Sequence, residues 1–531
     1  MKRLFVTTSI GAVGLCTLLL VPMQGCTDLT ETPISSITPS NFFHTEGEVL
    51  AALAGVYAGL RNTVSEAEYW GVSEVSTDEL VVPTRGSDWY DNGTWLESHR
   101  QTYSANSPGT LTFLNNAWNS PFAGIARANV LLEALQDSIV PNQTRIKGEV
   151  RFLRAFYYYL LMDLFGGVPV VTSTELKANP RQTRDSTFKF IESELLAVRG
   201  ALPLSWDAAN RGRITRGAAD ALLANMYINA RVYKNEGAGA GISATTYNSC
   251  LGVTVSGNKD ACQAAIDAAD SVINSGVYTL ASSFAQNFTA DNYLSPENIF
   301  VVKFAAADGL GFNFVMRTLH YNQFTPSPWN GFAALAQTYN AFDPADKRRK
   351  IFLVGPQVNL ETLQQAETRD HKPLDFSITI GNVTSANEAE GARIYKWPID
   401  KAHVQQNNGN DFAWFRLAEM YLIQAEALNE QTPGSGAALA ALNTVRARTV
   451  PVAGPLAGPI THDMIKNERM FEFFSEGKRR QDLIRHGKYT ACWEFKDITT
   501  GSCPRADKLV LMPIPQTQID ANALISQNPD Y

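Results

Sequence analysis

The sequence predicts a mainly α-helical protein: helix pairs stacked as a solenoid scaffold, carrying a long irregular insert with short strands. Three observations lead there. Apolar residues recur with helical spacing in about nine segments. The 531-residue length is well beyond the roughly 300 residues at which single cores stop growing, so the chain needs several domains or a stacked architecture. Residues 276 to 411 then interrupt the helical pattern with Gly, Pro, Asn and aromatics.

Taken in order, the chain begins with Lys2 and Arg3, then the uncharged run LFVTTSIGAVGLCTLLLV, then PMQGC and the polar TDLTETP. This is the layout of a secretory signal over residues 1–25. A transmembrane anchor is the alternative, because about 18 apolar residues are just enough to span a bilayer. Gly25-Cys26 resembles the end of a bacterial lipobox, in which the Cys is lipidated and becomes the mature N-terminus, although Gln24 and Met23 depart from the usual residues. Asp28 and Glu31 resemble the signal that sends some Gram-negative lipoproteins to the cell surface. Cleavage before Cys26 removes Lys2 and Arg3 and takes the net charge from −7 to −9. With no later apolar run of spanning length, lipid would be the anchor. The acidic balance gives no footprint for nucleic acid and favours neutral or cationic ligands unless a local basic patch reverses it.

Helices are expected at about 45–62, 110–136, 145–165, 184–200, 214–234, 259–275, 412–430, 435–448 and 461–485. In RIKGEVRFLRAFYYYLLMDLF, apolar groups at 146, 150, 153, 157, 160 and 164 make one face, and the segment from Ala155 to Met162 is apolar all round. Its second half should therefore lie between neighbours, ended by Gly166, Gly167 and Pro169. ITRGAADALLANMYINA and FRLAEMYLIQAEAL carry the small-residue and aromatic spacing of a tetratricopeptide-like repeat. Eight of the helices fit successive antiparallel pairs. Two regions divide the mature chain, 26–235 with a loop at 65–108, and 236–531 with the insert and short runs such as NIFVVKF. Loops of this kind carry variable function on a rigid frame.

Outside Cys16 and Cys26, the cysteines fall into two local pairs, Cys250 with Cys262 and Cys492 with Cys503. Two disulfides in an oxidising compartment are expected. A zinc site is the alternative, but neither pair is CxxC and His486 is the only nearby histidine. The seven histidines are scattered, and HExxH, GxSxG, GxxxxGK[ST] and GxGxxG motifs are missing. DPADKRR at 343–349 lacks the spacing of a calcium loop. Glu419 and Glu426, seven residues apart and so about 10.5 Å along a helix, are too separated for a glycosidase pair. They are expected to pair with arginines such as Arg446 and Arg448. Glu468, Glu472 and Glu476 lie among Arg469, Lys478, Arg479 and Arg480 as a structural charge network.

Binding has positive signals. A sugar presents an apolar C–H face rimmed by hydroxyls, which suits flat aromatics edged by amides, carboxylates and arginines. RGSDWYDNGTW, 85–95, offers Trp89, Tyr90 and Trp95 with Arg85, Asp88, Asp91 and Asn92. HYNQFTPSPWNGF, 320–332, offers Tyr321, Phe324 and Trp329 with Asn322, Gln323 and Asn330. Packing of the loop on the scaffold is the alternative for each aromatic, most of all for Trp95, Trp329 and Phe332.

EVRFLRAFYYYLLMDLFGGVPVVT, GRITRGAADALLANMYI, FRLAEMYLIQAEAL with ALNTVRARTV, IKNERMFEFFSEGKRRQDLIRHGKY and LMPIPQTQIDANALISQNPDY together resemble the SusD/RagB family, in that family's order and over most of the mature chain. The resemblance implies a surface lipoprotein of the outer membrane on tetratricopeptide-like helix pairs. It further implies capture of a glycan, or of a peptide as in relatives of RagB, and docking on a SusC-like TonB-dependent transporter. No catalytic residue and no obligatory cofactor is implied. Glycan-binding members draw their aromatics from loops in the same two regions, so the correspondence is regional. A secreted hydrolase on a helical scaffold is the competing expectation.

Overall fold

Helix-forming segments with one wide apolar face bury it only by stacking on one another, and the chain does this in sequence order. In the computed structural model, which describes residues 43–137, 140–237, 241–449, 454–496 and 507–531, Leu111–Asp137 packs on Gln143–Phe165. Gln143–Phe165 then packs on Arg184–Val198, and that on Arg216–Ile228. The array continues through Ala261–Ile273, Leu417–Gln431, Gly436–Arg446 and His462–Phe473. Thr, Ser and Asp caps start several of these helices: Thr183, Thr215, Asp260, Ser435 and Thr461 each accept a backbone N–H of the first turn. The expected mainly α scaffold of helix pairs with an irregular insert is the fold observed. Phe43–Tyr531 is one compact unit, so the two regions divided at 235 are parts of a single body.

The insert leaves the solenoid within its third helix pair, after Ala261–Ile273, and returns at Leu417–Gln431. Its neck is an antiparallel pair of strands, Asn298–Val302 and Phe412–Arg416, with Phe412 opposite Val302 and Ala413 opposite Val301. NIFVV is the short run expected to form a strand. FAWFR, expected inside a helix from 412, is a strand instead: all five residues are buried, and its backbone pairs with the neck before Leu417 starts the helix. The expected helix at 461–485 likewise divides into His462–Phe473 and Arg479–Arg485. Ser475 (φ 65°) and Gly477 (φ 75°) turn the chain there. The turn is held by the buried helix Tyr69–Val75: the Trp70 indole donates to the Ser475 carbonyl at 2.9 Å, and Glu74 accepts the N–H of Gly477.

A buried ionic cluster fastens the insert to the last helix pair. Arg416, at the end of the neck strand, donates to Glu297 (2.6 Å), Glu472 (2.8 Å) and Glu476 (2.7 Å). Lys396 of the insert reaches Glu476 at 2.5 Å, and Arg348 reaches Asp346, Glu468 and Glu472. Burial raises the Glu472 carboxyl, but facing guanidiniums of Arg448, Arg416 and Arg348 outweigh that and hold it below the usual carboxylate range. Glu419 and Glu426 are buried and paired as expected of interhelical carboxylates, though with other partners. Glu419 meets Lys478 and Arg469, and Glu426 meets Arg485, while Arg446 serves Glu468 and Arg448 serves Glu297 and Glu472.

Cys250 and Cys262 form a disulfide across the hairpin Thr254–Val255/Lys259–Asp260. Cys492 is disulfide-bonded as well. Its expected partner Cys503, like Cys26 and the signal segment, lies outside the described residues. Among the described residues, no helix is long and apolar enough to cross a membrane, and no group of three His, Cys, Asp or Glu is placed to hold a metal ion.

Candidate functional site

The segment 65–108, expected as a loop, contains the helices Tyr69–Val75 and Thr94–Arg100, because its aromatic and aliphatic side chains are buried against the rest of the chain; it joins the insert, far off in sequence, in one structure. Leu80–Val81 pairs with Ala333–Ala334, which pairs with Ala392–Ile394, which pairs with Phe352–Leu353, making a four-stranded antiparallel sheet from both regions. This sheet sets the 85–95 loop beside 320–332. Arg85 and Asp88 exchange backbone hydrogen bonds (2.9 and 3.0 Å) across a tight turn at Gly86. Positive φ then recurs at Trp89 (63°), Asp91 (39°), Asn92 (57°) and Gly93 (82°). The density of Asp, Asn and Gly is what allows this run, since short polar side chains and Gly tolerate the left-handed region. Trp89 does not belong to that class, so tertiary contacts must hold it.

They do so through the insert. The Trp89 indole N–H donates to the Trp329 carbonyl at 2.5 Å. Its ring meets Trp95, Phe332 and Trp329 at centroid distances of 5.4, 5.6 and 6.5 Å. A Cβ on Gly331 would meet the Trp89 ring at 2.4 Å, so the NGF turn needs glycine for the ring to seat. Trp89 remains half-buried, while its neighbour Tyr90 points outward and is 60% exposed. Asn92 is exposed and donates to the Pro108 carbonyl at 2.9 Å.

Two of the expected platform or edge residues turn out to be supports. Trp95 is 3% exposed, packed edge-on against Trp89, Phe113 and Phe332, with its indole N–H on Asp91 at 2.6 Å, so it has no free ring face for a ligand. Arg85 is 4% exposed, and its guanidinium is spent on the Asn387 and Glu390 carbonyls of the insert rather than offered to a ligand. Burial lowers the Arg85 pKa to about 10. Trp329 is partly buried against Val315, Met316, Leu319 and Phe324, and Phe332 is fully buried.

The second region contributes a polar cluster. The Tyr321 hydroxyl donates to Asp88 at 2.6 Å, and Arg369 stacks its guanidinium 3.5 Å from the Tyr321 ring centroid while pairing with Asp88 at 3.2 Å. Burial and then the Asp88 carboxylate push the Tyr321 phenol up to about 12. Asn322 is exposed and donates to the Glu367 carbonyl at 2.8 Å. Beside this cluster opens a cleft of about 400 Å³, lined by Arg85, Tyr321, Thr368, Arg369, Lys372 and Glu388 among others. Thr368, Arg369 and Lys372 were not singled out from the sequence. The only signal they give is a charged turn, TRDHKP, within the insert.

The arrangement is the exposed phenol ring of Tyr90, the half-buried indole of its neighbour Trp89, and, beside the Asp88–Tyr321–Arg369 cluster, a cleft whose walls mix guanidinium, ammonium, carboxylate and hydroxyl groups. It supplies apolar faces next to convergent hydrogen-bonding groups, the requirement for holding a polyhydroxylated ring. The conspicuous carboxylates of the helical core, Glu419, Glu426, Glu468, Glu472 and Glu476, are buried in ion pairs away from solvent.

Comparison with known proteins relates the chain's sequence and fold to a group. The family model described as the SusD family matches residues 257–531, and one described as "Starch-binding associating with outer membrane" matches residues 39–228. "SusD-like protein P2" of Formosa agariphila is 24% identical over 553 residues, covering 97% of this chain and 98% of its own. The starch-binding protein SusD of Bacteroides thetaiotaomicron is 25% identical over 463 residues, covering 77% and 76%. Among solved structures, a laminarin-binding SusD-like protein superposes with a TM-score of 0.69 at 23% identity, covering 92% of this chain and 100% of that one. Surface glycan-binding protein A from Bacteroides thetaiotaomicron, solved with laminarihexaose, gives 0.70 at 21% identity, covering 91% and 99%. At these identities the likeness to solved structures is one of fold.

Proposed function

Because the chain belongs to the SusD/RagB family, we propose that it is a lipid-anchored protein of the outer-membrane surface that binds an oligosaccharide and hands it to a SusC-like TonB-dependent transporter without chemical turnover. The observation that carries the binding reading is the ridge of Tyr90 and Trp89 set beside the Asp88–Tyr321–Arg369 cluster, assembled from two segments that the inter-region sheet brings together. In this reading the sugar's C–H face lies on Tyr90, with Trp89 behind it. Asp88, Arg369, Asn92 and Asn322 at the rim exchange hydrogen bonds with its hydroxyls. Arg85, Trp95 and Trp329 hold the loop in place.

Relatives described by the glycans they bind, starch and laminarin, support the substrate class. The outer-membrane setting is supported by the description of the family model over the N-terminal half and by the lipobox-like Gly25-Cys26. The test is a glycan and peptide array on the purified protein, with reducing-sugar release measured on each glycan retained. Retention of a glycan with no release is the expected result. Release abolished by one carboxylate substitution would make the protein a hydrolase, and retention of peptides alone would move it to the peptide-binding members of its family.

A further inference from the structure

A second groove, away from the Tyr90 ridge, lies where the Trp206–Arg213 segment faces the insert's neck. Two adjoining cavities of about 260 and 400 Å³ share Arg211, Gly212, Arg213, Val301 and Lys303 as walls. Tyr293, on the 3-10 turn Asn292–Leu294 just before the neck strand, is 42% exposed and lines the first cavity. The turn is fixed because Asn292 exchanges hydrogen bonds with the backbone of Asp411 at 2.7 and 2.9 Å. Lys303 Nζ stands 5.3 Å, and the Arg211 guanidinium 5.8 Å, from the Tyr293 ring centroid. Gly212, at φ 93°, makes room for Lys303: a Cβ there would meet the lysine Cδ at 2.7 Å.

The charge of this groove runs against that of the whole chain, which is −7. Arg213 is balanced by Glu149 and Lys303 by Asp411. Arg61 and Arg211 line the groove with no carboxylate partner among the described residues. Trp206 is not a free platform, since guanidiniums of Arg213 and Arg145 lie 4.1 and 4.7 Å from its ring centroid. On the same wall the Oδ1 of Asn298 is buried without a hydrogen-bond partner, an acceptor that a hydroxyl donor would satisfy. An exposed aromatic ring beside Arg211, a guanidinium with no carboxylate partner among the described residues, suits a ligand with an apolar C–H face and a fixed negative charge.

We propose that this groove is a second glycan site selective for uronic acid residues, with the sugar ring on Tyr293 and its carboxylate on Arg211. The proposal takes its ligand class from the glycan-binding reading, but it uses none of the same residues. It is tested by titration calorimetry of tri-galacturonate, tri-mannuronate and methyl-esterified tri-galacturonate against the protein and its Tyr90→Ala, Tyr293→Ala and Arg211→Gln variants. The expected result is binding of at least one free acid, with the ester at least tenfold weaker than tri-galacturonate where that acid binds. Tyr293→Ala and Arg211→Gln should each weaken the acid at least fivefold with unchanged Tm, and Tyr90→Ala should leave it unaltered. No binding of either acid, equal binding of acid and ester, or loss in Tyr90→Ala with retention in Tyr293→Ala overturns it. A neutral glycan titrated into the same variants reports on the Tyr90 ridge separately, so the two readings fail independently.

Discussion

The indole N–H of Trp89 donates to the carbonyl of Trp329 at 2.5 Å, joining residues 240 apart in sequence. This bond sits where a left-handed tryptophan on one loop meets the turn of another, and it makes the position of Tyr90 depend on the insert.

Trp89→Ala should therefore cost both stability and binding. Truncating a half-buried indole that contacts three other rings is expected to destabilise by about 3 kcal/mol, seen as a lower Tm and urea midpoint. Gly331→Ala places a methyl against the same ring and should mimic the effect without touching Trp89. A Trp89→Ala protein of normal Tm would show that the ring is a free platform.

The ionic cluster at the insert's neck predicts a different pattern. Glu472→Gln leaves Arg416, Arg348 and Arg448 short of a buried countercharge, and breaking such a pair costs about 3–5 kcal/mol. Because the paired carboxylate titrates below its unfolded value, its contribution is full above about pH 4.5, declines below that, and is lost as pH falls through the depressed folded value. Chemical denaturation at pH 7 and pH 4 should show the gap between wild type and variant narrowing in acid.

Glu74 and Glu79 carry the opposite sign. Both are buried behind the Ser475–Gly477 turn; burial raises Glu74 to about 7, and burial together with the Glu74 charge raises Glu79 well above the carboxylate range. Between about pH 4.5 and 7 the folded chain keeps a proton that the unfolded chain releases. The pair's contribution is full below about pH 4.5 and declines as pH rises through the raised folded values. The Tm advantage of wild type over Glu79→Gln should shrink from pH 5 to pH 8, and parallel profiles would refute it. Buried His99 works the other way, since burial lowers it to about 4 and its share of stability is lost as pH falls from about 6.5.

Removal of the Cys250–Cys262 disulfide by the double serine variant should lower stability by about 3 kcal/mol, the loop-closure value for a short loop. The hairpin it closes is remote from Tyr90 in sequence and sheet, so glycan affinity should stay within twofold. Thermal melts and calorimetry on the same preparation separate the two effects.

The solenoid is legible because its signal is local: apolar residues three and four apart act within one helix. FAWFR falls within an expected helix because a short apolar aromatic run has no period of its own, and only the distant partner Val302 decides that it is a strand. The same reason divides the site residues. Tyr90, Asp88 and Tyr321 keep polar or exposed atoms at the surface, as their loop setting suggests. Trp95 and Arg85 are consumed by Phe332, Asn387 and Glu390, contacts that exist only once the insert's sheet takes in Leu80–Val81. Arg369 reaches Asp88 across 281 residues, a meeting without local precedent in the sequence.

Calorimetric titration of Tyr90→Ala against the glycan selected by the array tests the central claim most directly. Tyr90 is 60% exposed, so its truncation leaves the fold unchanged. The account predicts at least a tenfold rise in Kd, about 1.4 kcal/mol, with Tm within about 1 °C of wild type and no sugar released. An unchanged Kd would contradict it and remove the ridge of Tyr90 and Trp89 as the place where this protein holds its ligand.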